Sequence, residues 1–215
     1  AALHIAQFWD GRAKDVEEQA LGPILNPVEM GMPNEAAVVN KLKKIDDYKA
    51  LFAEAFKDEK DPFQYKNVGK AIGAFERTLL TPSRFDDFLN GDESALNDSE
   101  KRGLTKFMHM GCVTCHNGVV IGGNSYKKIG VVEPYETKDM GRFEVTGLET
   151  DKKVFKVPSL RNITKTGPYF HDGSVETLDE AIRLMAKHQL GRQVGPGFID
   201  DVKAFLGSLT SKGKE

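Results

Sequence analysis

The sequence predicts a mainly α protein with long irregular loops. Apolar residues recur at helical spacing in several separate runs. Pro and Gly punctuate the chain between those runs, and a long Gly-rich stretch with few β-branched residues follows His116. At 215 residues and 23.8 kDa the chain has room for one large domain or two small ones, with a real core. A formal net charge of -2 implies no strong overall field for nucleic acid or a membrane surface. No apolar run is long enough to span a bilayer, and no signal-type start is present.

In order along the chain, Asn34 to Phe56 carries the helical spacing Val38, Leu42, Ile45, Tyr48, Leu51 and Phe52. Asn34 suits an N-cap, and Asp46 is placed to restart a second helix. Tyr65 to Leu80 sets Val68, Ile72, Phe75 and Leu79 on one face before Thr81-Pro82 stops it. "SRFDDFLNGD" reads as a short helix leaving at Gly91. Asp98 or Ser99 caps the next helix, which delivers the chain to Cys112. The long segment after His116 reads as an ordered loop with at most short strands. Thr177 and Glu180 form a capping-box pair for the following helix. A last helix, from about Pro196 to Leu209, turns Phe198, Val202, Phe205 and Leu209 inward.

Both cysteines of the chain stand in "GCVTCHNG", as Cys112 and Cys115, with His116 directly behind. A thioredoxin-like pair belongs after a strand in a βαβ unit, and here the motif follows a helix. A structural zinc site wants four ligands, and a second Cys/His pair at finger spacing is missing. A chance CxxCH is the bland alternative. Covalent haem c fits the spacing best: two thioethers reach one porphyrin edge while the adjacent His turns onto the iron. Candidates for the other axial position are Met140, Met185, His171 and His188, since Met108 and Met110 are too close to the attachment site. Spacing alone leaves that choice open, and a Met on an amphipathic helix more often fills a core.

Taken together, "AQFWDGR", "GPILNPVEM", "GCVTCHNG", "VPSLRNITKTGPYFHDG", "MAKHQLG" and "AFLGSLT" resemble, in order, the bacterial dihaem cytochrome c peroxidases. The resemblance implies cytochrome-c-like haem domains, a periplasmic location, and reduction of hydrogen peroxide to water. It implies a small cytochrome c or cupredoxin as electron donor, a calcium ion, and a homodimer. Residues 1–80 are then expected to be the remainder of an N-terminal peroxidatic haem domain with interdomain helices. Residues 81–215 are expected to be the C-terminal electron-transfer haem domain. By motif match, Cys112, Cys115 and His116 hold the electron-transfer haem, and Met185 is its distal ligand. The related MauG-type enzymes carry a tyrosine there instead. Trp9 matches the tryptophan between the two haems, although a lone Trp is often only a core aromatic. Gln19 and Glu29 match the polar pair beside the peroxidatic haem, with Glu29 as proton carrier. Thr166 and Pro168 match backbone ligands of the calcium, and His171 a histidine near the electron-transfer haem.

The chain departs from that pattern in having one CxxCH where the family has two. "AALHIAQFWDGR" reads like the middle of a domain, so a second attachment motif is expected upstream of Ala1. Without it, the alternative is a monohaem electron-transfer module with no catalysis. A MauG-like oxidase is the third reading, and Met185 argues against it.

Overall fold

The computed structural model describes residues 1–213. The chain divides into two compact units. One contains Ala1–Ala2, Ala6–Phe8 and Ala13–Leu80; the other contains Leu3–Ile5, Trp9–Arg12 and the chain from Thr81 onward.

In the first unit, α1 (Val16–Leu25), α2 (Glu35–Leu42), α3 (Asp46–Ala55) and α4 (Tyr65–Arg77) surround Ile24, Val38, Phe52, Tyr65 and Val68. The side chain of Asn34 caps α2 by accepting from Ala37 N. α1 escaped the sequence reading because Pro23 interrupts its last turn; Asp15 caps it, accepting from Glu18 N. α1 and α4 approach closely because Gly69 and Gly73 face Glu17; a Cβ on Gly69 would lie 2.5 Å from the Glu17 carbonyl oxygen. Arg77 closes the pair by donating to both carboxylate oxygens of Glu17. The predicted apolar face of α4 is only partly covered, since Phe75 and Leu79 are exposed.

The second unit is built on α5 (Arg84–Leu89), α6 (Asp98–Met110), α7 (Phe143–Thr146), α8 (Leu178–Leu190) and α9 (Pro196–Ser208). Asn97, one residue before the predicted cap, starts α6 through a reciprocal capping box with Glu100. α6 crosses α9 at Gly103, where a Cβ would lie 1.9 Å from the Asp201 carbonyl oxygen. The Asp201 carboxylate locks that crossing, accepting from Ser99, Arg102 and Lys106. Phe85, Phe107, Val202, Phe205 and Leu209 form the centre of the core. The Gly-rich segment yields β1 (Tyr126–Lys128), which pairs antiparallel with β2 (Val154–Lys156). Arg161 donates to both oxygens of Asp86 and to Val119 O, pinning the loops after His116 onto α5.

Candidate haem site

A cavity of about 410 Å³ opens inside the second unit. α6 ends at Gly111, whose φ of 95° lets the chain turn sharply into Cys112–Thr114, a single tight helical turn. That turn puts Cys112, Cys115 and His116 on one wall. α8 forms another wall with Ile182, Met185 and Gln189. Trp9, Thr166, Pro168 and His171 also line the cavity. Gln19 and Glu29 belong to the first unit: Gln19 is half-buried on α1, and Glu29 is exposed in the turn after it, accepting from Asn26 Nδ2 at 2.6 Å.

Each wall has a local reason for its shape. Asp10 accepts from Arg12 N at 3.0 Å, folding "FWDGR" into a turn. Gly11, at φ 75°, leaves room for Tyr126, whose hydroxyl would lie 1.8 Å from a Cβ there. Trp9 O accepts from Lys156 N at 2.7 Å, tying this turn to β2. Trp9 is 37% exposed. His171 is held by the tight "PYFHDG" loop, in which Phe170 takes a left-handed φ of 67°. The His171 side chain is 1% exposed. It stacks on Phe155 with centroids 4.1 Å apart and lies 3.2 Å from Thr137 Oγ1.

The cavity suits a haem c on the chemistry of its donors. The two cysteines are free of disulfide. Nδ1 of His116 is buried with no hydrogen-bond partner. Burial lowers the His116 pKa to about 4 against the opposing pull of the Pro158 and Ile121 backbones, so the ring is neutral, the form able to bind a metal. Burial likewise pushes the Cys112 thiol up to about 11. Phe107 tilts against His116 with centroids 6.4 Å apart.

Sequence reasoning missed a second polar feature at the edge of this site. Lys156 lies on the cavity wall, and its Nζ is 3.1 Å from His4 Nδ1. Burial is the main cause that lowers Lys156 to about 8 and His4 to about 4, with Lys156 adding to the shift of His4. The two residues are far apart in the chain, so no local signal marks the pair. Among the described residues, no group of three or more His, Cys, Asp or Glu side chains is arranged to hold a metal ion.

Comparison with known proteins gives a consistent result. A family model described as di-haem cytochrome c peroxidase matches residues 1–94. The chain is 47% identical to cytochrome c551 peroxidase of Nitrosomonas europaea, covering 98% of this chain and 63% of that protein. Against cytochrome c551 peroxidase of Pseudomonas aeruginosa the identity is 44%, over 99% of this chain and 63% of that protein. The chain is thus similar in sequence to the dihaem cytochrome c peroxidase family. It spans less than two thirds of the length of these two relatives. In three dimensions the chain is similar to the crystal structure of a MauG-like protein associated with microbial copper homeostasis. That match has a TM-score of 0.82 at 28% identity and covers 97% of this chain and 73% of the other. The fold is mainly α and cytochrome-c-like, with long irregular loops. No helix among the described residues is long and apolar enough to cross a membrane.

Proposed function

We propose that this chain carries the electron-entry haem of a dihaem peroxidase that reduces hydrogen peroxide to water. The observation behind this reading is the convergence of Cys112, Cys115, His116 and Met185 on one largely apolar cavity that Trp9 also lines. Cys112 and Cys115 would tether the haem, and His116 and Met185 would hold its iron. Such an iron supplies one-electron redox chemistry, and the His/Met pair raises its potential. Trp9 would pass electrons on toward a second haem, since the family is dihaem and these 215 residues contain one CxxCH. The overall reaction is H2O2 + 2 e⁻ + 2 H⁺ → 2 H2O. Gln19 would orient the peroxide, and Glu29 would move a proton from the near oxygen to the leaving one.

A small cytochrome c or cupredoxin would deliver the electrons, the protein would act in the periplasm, and the assembly would be a homodimer. Residues 1–80 would complete the peroxidatic domain, and residues 81–215 would be the electron-transfer domain. A calcium ion at Thr166 and Pro168 would be bound through backbone carbonyls and water, a ligand set this hard cation accepts. His171 would serve the electron-transfer side.

The experiment is a haem count and peroxide assay on the purified natural protein, with Glu29→Gln beside it. Two haems per chain and rapid peroxide reduction are expected, with turnover falling by about 10²–10⁴ in the variant while the haem spectrum stays unchanged. One haem and no turnover would favour the second reading, a monohaem electron-transfer module, which the single CxxCH supports.

A further inference from the structure

We propose that Gln189 is a positioning residue for Met185, clamping the end of α8 so that the thioether is held at one height in the cavity. This rests on the reading of Met185 as an axial ligand. Gln189 stands one helical turn after Met185 and lines the same cavity. Its side chain makes three hydrogen bonds to the loop that leaves β1. Oε1 accepts from Gly130 N at 2.8 Å and from Val131 N at 3.1 Å. Nε2 donates to Lys128 O at 3.1 Å. The neighbouring His188 adds to the clamp: Nδ1 donates to Glu133 O at 3.0 Å, and its carbonyl accepts from Val132 N and Glu133 N.

The loop that receives these bonds makes close contacts of its own. Gly130 has a φ of 70°, and a Cβ on it would lie 2.3 Å from Tyr135 N. Val132 rests on Gly191, the left-handed cap of α8, where a Cβ would lie 2.9 Å from Val132 Cγ1. β1 in turn pairs with β2, which holds the Trp9 backbone. The last turn of α8 is therefore fastened to the end of β1 and the loop after it, while Thr177 caps its first turn.

A methionine needs such support because its side chain has three rotatable bonds and little preorganisation of its own. A neutral thioether is easily displaced from iron unless the helix that carries it stays in place. A Gln that only anchored a loop would affect stability and nothing at the iron, so the two roles separate by experiment.

The test uses the holoprotein with Gln189→Leu, which removes all three bonds at similar size. The readouts are the sulfur-to-iron charge-transfer band, the midpoint potential and the affinity for added imidazole, which competes with Met185. The haem should remain covalently attached, imidazole should bind at least tenfold more tightly, and the band and potential should fall. Gln189→Glu keeps the acceptor for Gly130 and Val131 and should restore most of the difference. Gly130→Ala attacks the clamp from the loop side and should move the same readouts; it decides the matter if Gln189→Leu does not fold. Wild-type imidazole affinity and potential in a less heat-stable Gln189→Leu protein would overturn the proposal and leave Met185 as ligand. A wild-type protein without the sulfur-to-iron band would overturn the ligand reading and the clamp together.

Discussion

Trp9 meets His171 edge-on, with ring centroids 6.5 Å apart and planes at 74°. His171 in turn stacks on Phe155, so three rings form a continuous line along the cavity. If Trp9 relays electrons, Trp9→Phe should slow electron transfer between the haems at least tenfold in stopped-flow reduction, with both haem spectra intact. His171→Ala should produce a smaller slowing through the same contact. Unchanged rates in both variants would remove this line of rings from the pathway.

Met185→His should keep the haem attached and lower its midpoint potential, because a second imidazole stabilises ferric iron better than a thioether does. Electron entry from the donor should slow in step. Redox titration checks this, and a potential equal to wild type would take Met185 off the iron.

Asp86 gives a stability prediction with a defined sign. Burial tends to raise its pKa, but the Arg161 guanidinium and the Ser83 cap outweigh that and hold it at about 2, against an ordinary 3.8. The unfolded chain therefore takes up this proton first as pH falls. The stabilisation is complete above about pH 4 and is lost as pH drops toward 2; it amounts to about 1 kcal/mol after discounting for partial exposure. Asp86→Asn should remove this component from the acid-unfolding curve. An unaltered slope between pH 4 and 2 would sink the assignment.

Two glycines should behave in opposite ways. Gly103→Ala puts a methyl into the Asp201 backbone at the α6–α9 crossing and should cost about 2 kcal/mol or more. Gly207, inside α9, has open space where its Cβ would be, so Gly207→Ala should stabilise by about 0.5–1 kcal/mol. Thermal denaturation separates the two, and similar melting temperatures for both variants would contradict this packing.

Local signals were legible in the sequence and distant ones were not. CxxCH is a contiguous motif, so the haem wall of Cys112, Cys115 and His116 could be read directly. Caps act within three residues, which is why Asn34 and Thr177 were found. Asn97 was displaced by one position because Asp98 and Ser99 beside it have the same capping chemistry. α1 was hidden by Pro23, which stands inside the helix, where its missing N–H removes one backbone bond. The Lys156–His4 pair and the Gln189 clamp depend on chain segments that only the tertiary fold brings side by side.

The hydrogen bond from Lys156 N to Trp9 O joins early and late parts of the chain. The residues around Trp9 must therefore find partners as distant in the chain as Lys156. Contacts of such long sequence separation close slowly, because the entropy of a large loop is spent before any contact repays it. The part of the cavity that carries Trp9 is thus expected to close late in folding.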